Sequence, residues 1–298
     1  MVMNDRQIKA FLEAARLLNF TKAAEKLYVP QSQVSRAIAA LEKELGTVLF
    51  ERENSRSITL SPAGEKYFSL FSRFETELVR TRESLREETH ELRLGYNIGW
   101  NISGFLPEVV TRCRRIYDDF SVRIECLSFD NLMQKLQSGQ LDTVISLEDY
   151  MKATSDVEYE VVTDVNRTIV YSERLFGVLV DSPEEMKGVT MFVAEDSRLR
   201  EIISSIGFNL RPFNFIPDIE VVPNIETMFA NVQNGRGVIL ADDWVDISGG
   251  PDIHSVSIDA RSNIAIAWHE GEPPREVKLF ADELRKYFAD DTLPAVEK

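Results

Sequence analysis

Proline lacks a backbone N–H and holds the residue before it in extended conformations, so Tyr28-Val29-Pro30 cannot sit inside a continuous helix. The amino-terminal part of the chain must therefore fold as separate helices on either side of this break. Upstream, Ile8, Phe11, Leu12, Ala15 and Leu18 recur at helical spacing behind Asn4 or Asp5, which can cap the helix. A second helix is expected after Thr21, with the Thr21 hydroxyl as its cap, burying Ala23, Ala24 and Leu27. A third should begin near Pro30 or Gln31, carry the apolar stripe Val34, Ile38, Leu41 and Leu45, and stop at Gly46.

The exposed start of that third helix is crowded with Gln31, Ser32, Gln33, Ser35 and Arg36. Amides, hydroxyls and a guanidinium are what base edges and phosphates require: Gln pairs bidentately with adenine, and Arg with guanine. Gln31, Gln33 and Arg36 are the candidates for reading sequence. Ser35 and Thr21, the latter at a positive helix N-terminus, suit phosphate and register, and Ser32 is a further DNA-binding candidate. Val48-Leu49-Phe50 and Ser57-Ile58-Thr59-Leu60 predict a hairpin joined by Glu51–Arg56, a wing whose Arg52 and Arg56 can reach a minor groove.

Ser61-Pro62 opens a further helix that should run to about Arg86 or His90. Tyr67, Phe71, Phe74, Leu78, Thr81 and Leu85 alternate spacings of four and three along it. That is a coiled-coil seam, so Tyr67, Phe71, Phe74, Leu78 and Leu85 are expected to pair two chains.

The chain divides in charge at this helix. Through Arg86 there are 14 Lys and Arg against 11 Asp and Glu, and beyond it 20 against 38. The overall net charge of −15 therefore belongs to the second part and does not exclude DNA binding, which depends on local cations. No apolar run approaches a membrane span and no secretory signal is present, so a cytoplasmic protein without membrane partners is expected. Cys113 and Cys126 are too few for a disulfide framework and are expected to be buried, unreactive thiols.

From Leu92 the pattern alternates strands and helices. Strands are expected at Leu92–Tyr96, Val122–Leu127, Thr143–Leu147, Leu175–Val180, Thr190–Ala194, Ile219–Val222, Gly237–Ala241 and Asn263–Trp268. Helices are expected at Ser103–Tyr117, through Leu136, at Leu199–Ile206, after Asn224 and at Val277–Phe288. Two α/β lobes, about 91–161 with 260–298 and 162–259, joined by crossing strands near Val161–Asn166 and Val256–Asp259, would enclose a ligand cleft. The acidic pairs Glu148-Asp149, Glu195-Asp196 and Asp242-Asp243 point to a cationic or neutral ligand if they face it.

The amino-terminal string resembles the LysR-type transcriptional regulators. Phe11, Phe20-Thr21, Ala23-Ala24, Leu27, Gln31, Ser35-Arg36, Ile38, Leu41-Glu42, Leu45-Gly46, Leu49-Phe50, Arg52 and Leu60-Ser61-Pro62-Ala63-Gly64 carry the likeness. Pro30 stands where that family usually has a capping Ser or Thr. The resemblance implies a winged helix-turn-helix at 1–60, a linker and dimerisation helix at 61–90, and a periplasmic-binding-protein-like effector domain at 91–298. It implies a homodimer or homotetramer that binds double-stranded DNA and a small-molecule effector and alters DNA bending or RNA polymerase access. By the same likeness the effector is lined by Asn97, Trp100, Asn101, Ser103, Phe129, Glu148, Ser197 and Asn224.

An enzyme joined to a DNA-binding unit and an architectural DNA protein are the competing classes. His90, His254 and His269 are widely spaced, and there is no HxxxH, CxxC, Walker loop, GxGxxG or GxSxG. No catalytic residue, metal site or cofactor is expected.

Overall fold

The computed structural model describes residues 4–53, 57–84, 90–152, 154, 156–196, 199–215, 217–247 and 250–290. In chain order the elements are α1 (Asp5–Leu17), α2 (Phe20–Lys26), α3 (Gln31–Leu45), β1 (Phe50–Glu53), β2 (Ser57–Leu60) and α4 (Pro62–Ser84). They continue as β3 (Glu91–Asn97), α5 (Leu106–Arg114), β4 (Ser121–Leu127), α6 (Phe129–Gln137), β5 (Thr143–Leu147), α7 (Glu148–Lys152) and β6 (Val157–Ser172). The last are α8 (Glu173–Phe176), β7 (Thr190–Ala194), α9 (Leu199–Leu210), β8 (Asp218–Val222), α10 (Ile225–Gln233), β9 (Ile239–Asp242), β10 (Ile253–His269) and α11 (Arg275–Ala289). The chain divides into two compact units near Glu88.

In the first unit, Asn4 and Gln7 form a reciprocal capping box at the start of α1. The cap of α2 is Asn19 rather than Thr21: its side-chain oxygen accepts from the backbone N–H groups of both Thr21 and Lys22. One Asx side chain thus satisfies two orphan donors, and the Thr21 hydroxyl is left exposed. α3 begins at Gln31 behind Pro30 and ends at Gly46, whose φ of 70° suits a residue without a Cβ. The core these helices enclose is completed by aromatic rings: Phe11 meets Phe50 edge-on at 5.6 Å and Phe71 at 6.0 Å.

The wing hairpin pairs Phe50 with Leu60 through Glu53 with Ser57. Its first strand starts at Phe50, two residues later than expected, because the preceding backbone is committed elsewhere. The Leu49 N–H donates to Glu42 Oε1 at 2.7 Å, and the Leu49 and Val48 carbonyls accept from the Ser61 N–H and hydroxyl. The Ser61 hydroxyl also accepts from the Gly64 N–H, capping α4.

The second unit is α/β. Its main sheet has the order β4-β3-β5-β10-β6-β9, with β3 parallel to β4 and β5, and β10 antiparallel to β5 and β6. A second, two-stranded sheet pairs β7 and β8 in parallel. The connecting strands are far longer than the short crossings read from sequence: β6 and β10 pair from Ser172 with Ile253 to Val157 with His269. Alternation along them serves cores on both faces. Ile264, Ile266 and Trp268 join α5 and α11 on one side, whereas Ala265 and Ala267 face α6 on the other. Toward the opposite end, Ile169 and Tyr171 contribute to a core with α9, and Val170 to one with α10. This gives two lobes sharing one strand pair.

Two further expectations are corrected. Leu175–Val180 is not a strand: Ser172 caps the short helix α8, Gly177 ends it in the left-handed region, and Val178 and Leu179 lie exposed. Helix α5 starts at Leu106, three residues after Ser103, because Ile102 to Phe105 form a turn of their own.

Gly64 offers a direct test of the first unit. An added Cβ there would lie 2.0 Å from the Leu49 carbonyl oxygen, which is backbone and cannot rotate away. An exposed helical Gly→Ala change stabilises by up to about 1 kcal/mol. Gly64→Ala is expected instead to destabilise by about 1–3 kcal/mol, the scale of core overpacking, measured by denaturant unfolding of the full chain.

Candidate DNA-reading surface and ligand cleft

The surface of α3 follows from what the helix buries. Val34, Ile38 and Leu41 are fully packed against α1 and α2, so the same turns present Gln31, Ser32, Gln33 and Arg36 outward, with Ser35 half-buried between them. Ala23 and Ala24 hold α2 close through small side chains, and Tyr28 takes a left-handed φ of 55° in the turn. The polar residues are mutually ordered. Gln31 Nε2 donates to Ser35 Oγ at 2.9 Å, and Arg36 Nε donates to the Ser32 carbonyl at 3.1 Å. For Arg52 only the backbone in β1 is described, and Arg56 lies outside the described residues.

Along α4, the residues expected to form one seam separate. Phe71 is buried in the first unit's core and Tyr67 stacks against it at 5.6 Å, while Phe74 and Leu78 stay 55% and 44% exposed. Leu70, not singled out from sequence, is 51% exposed one turn before Phe74. Leu85 lies outside the described residues.

Within the second unit a cavity of about 570 Å³ opens between the lobes. Of the residues expected to line it, Asn97, Trp100, Phe129 and Asn224 do so. Asn97 and Trp100 come from the end of β3 and the loop after it, Phe129 begins α6, and Asn224 caps α10 by accepting from the Thr227 N–H at 2.8 Å. Asn101, Ser103 and Glu148 are not among the lining residues. Asn101 Oδ1 accepts from the Ser103 hydroxyl and N–H in an exposed turn. Glu148 is held by Lys152 at 3.0 Å and Asn263 at 2.9 Å; burial raises its carboxyl, but these donors outweigh burial and bring it below the usual range. Ser197 lies outside the described residues.

Sequence reasoning named Asp242 only within an acidic pair and missed Arg167, its partner at the polar centre of the cavity. Arg167 on β6 and Asp242 on β9 are cross-strand partners, and both side chains line it. Asp242 is not a solvated loop acid: it is 5% exposed, and its oxygens accept from Trp100 Nε1 at 3.2 Å and the Trp244 N–H at 3.0 Å. Arg167 Nη1 lies 3.6 Å from Asp242 Oδ2, and Nε is buried without a hydrogen-bond partner. Burial pushes the Asp242 carboxyl above its usual range, although Arg167 and the two N–H donors pull it down. The folded chain thus holds this proton more tightly than the unfolded chain. The associated stability is present below the ordinary Asp range and lost as pH rises through the raised pKa.

Trp100 also fastens the lobes. Its ring meets Trp244 edge-on at 5.1 Å, the Asn101 N–H donates to the Trp244 carbonyl at 2.7 Å, and the Asp246 N–H donates to the Gly99 carbonyl at 2.9 Å. Phe192, Met228 and Phe229 supply apolar wall. Cys126 is exposed and lines the cavity, contrary to the buried thiol expected, because β4 is the sheet's edge strand. Cys113 is buried, and burial pushes its thiol up to about 12. Among the described residues no group of three or more His, Cys, Asp or Glu is arranged to hold a metal, and no helix is long and apolar enough to cross a membrane.

Residues 6–65 match the family model for bacterial regulatory helix-turn-helix proteins of the lysR family, and residues 86–289 match that for the LysR substrate binding domain. The chain belongs to the LysR family of DNA-binding transcriptional regulators. It is 27% identical to the HTH-type transcriptional regulator BsdA of Bacillus subtilis (strain 168), over 57% of this chain and 59% of that one. The match thus spans about three fifths of BsdA. It is 24% identical to the probable cat1 operon transcriptional activator of Acinetobacter lwoffii, over 97% of each. The fold is similar to that of CbnR, a LysR family transcriptional regulator, with a TM-score of 0.68 at 19% identity, covering 97% of this chain and 100% of that one. Full-length CbnR complexed with its target DNA gives a TM-score of 0.63 at 21% identity, covering 96% and 100%.

Trp100→Phe keeps a ring in this LysR-family cleft but removes the donor to Asp242, and is expected to cost about 1–3 kcal/mol. Asp242→Ala removes the counter-charge of buried Arg167 as well and should cost more, about 3–5 kcal/mol. Denaturant unfolding of the full chain checks both values and their order.

Proposed function

We propose that this LysR-family chain is a ligand-responsive regulator whose α3 reads an operator and whose cleft binds the effector that controls it. The observation that carries the DNA assignment is the face of α3. A buried apolar stripe holds the helix rigidly while Gln31, Gln33 and Arg36 project from its N-terminal end, where a recognition helix meets base edges. Thr21, Ser32 and Ser35 are assigned to phosphate contacts, Thr21 beside the capped start of α2. Arg52 and Arg56 are assigned to a minor groove beside the wing.

Homodimerisation is assigned to α4, with tetramers formed from paired dimers. Exposed Leu70, Phe74 and Leu78 recur every four residues, so an apolar stripe remains for a second chain, and Leu85 is assigned to the same interface by its sequence spacing alone. Tyr67 and Phe71 support that stripe from the core side rather than joining it.

The cleft reading rests on the size of the cavity and on Asn97, Trp100, Phe129 and Asn224 around it. Asn101, Ser103 and Glu148 are not among the lining residues and are assigned no effector contact, whereas Ser197 is kept as an effector contact from the family likeness alone. Occupancy can act on DNA only through different affinities for two arrangements of the protein, and altered DNA bending or RNA polymerase access would follow. No catalytic role is assigned, and the working compartment is the cytoplasm, where the DNA is.

Arg36→Ala and Gln31→Ala are each expected to cost about 1–3 kcal/mol on the preferred operator and to relax base preference at one position. Quantitative binding to the operator and its point variants checks this; equal losses on every sequence would reduce both residues to phosphate contacts. Leu78→Glu is expected to leave thermal unfolding almost unchanged while shifting sedimentation toward monomer, and a variant that stays fully dimeric would displace the interface from α4.

A further inference from the structure

The acidic composition of the second unit suggests a cationic ligand, but the cavity's own groups say otherwise. Of the acids that line it, Asp242 is occupied by Trp100 and Trp244 and Asp149 by Lys152 at 3.3 Å, while Glu195 and Glu226 are exposed to solvent and Asp196 is half-buried. Among the described residues lining the cavity, Arg167 is the only base, its side chain is 10% exposed, and its buried Nε has no hydrogen-bond partner. A guanidinium carries five N–H donors in a planar fork, and burying it without acceptors costs several kcal/mol. Asp242 compensates the charge at 3.6 Å without satisfying the donors. The walls beside it are apolar, including Phe192, Ile206 and Phe229.

We infer that the cleft takes a small organic acid with an apolar body, its carboxylate held by Arg167. The inference rests on the cleft being the effector site. A carboxylate matches the guanidinium fork with two acceptors, and the low-polarity surroundings strengthen that pairing. Because Arg167 stands opposite Asp242, and Asp242 holds Trp100 of the other lobe, the acid would bind where both lobes meet a shared strand.

The test is thermal unfolding and titration calorimetry of the full chain with hexanoate and phenylacetate. Hexanamide and phenylacetamide serve as neutral shape matches, and hexylammonium as a cation. The acids are expected to raise the melting temperature and to bind at least tenfold more tightly than the amides. Arg167→Gln, and Arg167→Lys, which keeps a charge beside Asp242 but not the fork, should each weaken acid binding at least tenfold and leave amide binding unchanged. Ser205→Trp, which narrows the cavity, should weaken every probe that binds there. Amides or the amine binding as well as the acids, unchanged acid affinity in Arg167→Lys, or no response to either acid would overturn the assignment. Amide or amine binding that Ser205→Trp abolishes would overturn the acid alone and keep the cleft. Acid binding that Ser205→Trp leaves intact would remove both.

Discussion

The antiparallel pairing of β6 with β10 is the constraint on which the substrate-binding domain depends. Each strand starts in one lobe and finishes in the other, so their ladder is both a structural wall and the connection between the lobes. Period-two alternation lets one strand face two cores at once, which is why Ile264 and Ala265, adjacent in sequence, belong to different clusters. A register slip of one residue would invert every such assignment, exposing Ile266 and Trp268 to the face that Ala265 and Ala267 now fill. The cavity is a consequence of this shared pair, since the lobes can part only where no third element is woven between them.

Polar contacts then set how the lobes meet. The Trp100 indole, the Asp242 carboxylate and the Trp244 backbone form a small network in which the acid's oxygens are satisfied and the Nε of neighbouring Arg167 is not. Such an imbalance is costly in an interior and stabilising as soon as a matching acceptor arrives. The first unit solves the opposite problem. The polar groups assigned to DNA are outside, on α3 and at the start of α2, and the helices are held by Phe11 packed edge-on against Phe50 and Phe71. A reading surface must be preorganised, whereas a sensing cleft must leave something unmet until its ligand binds.

Much of this was legible in the chain. The helical period around Phe11 and Val34, the break at Pro30, and Ser61-Pro62 as the start of a helix are local signals, and each reappears in the fold. What was hidden is tertiary. Whether Tyr67 and Phe71 face a second chain or their own core depends on where α1 lies, which the spacing on α4 does not encode. The strand at Phe50 is trimmed by Glu42 and Ser61, residues distant in sequence. Arg167 sits just past the segment read as a crossing strand; a charge beside the run Ile169-Val170-Tyr171 was a usable signal of a buried base. In sequence Asp242 and Asp243 are one acidic pair: only the fold distinguishes the buried carboxylate that meets Trp100 from the exposed one that accepts from Asn166.

The most direct test of the account is selection of random-sequence DNA by the purified full chain at near-physiological salt, followed by footprinting of the enriched sequence. Two α3 helices presented by a pair of chains predict an interrupted palindrome, protected over both half-sites, with the helices in major grooves on one face of the duplex. Binding without sequence enrichment, or protection of a single unpaired half-site, would contradict a dimeric reader built on α3 and α4.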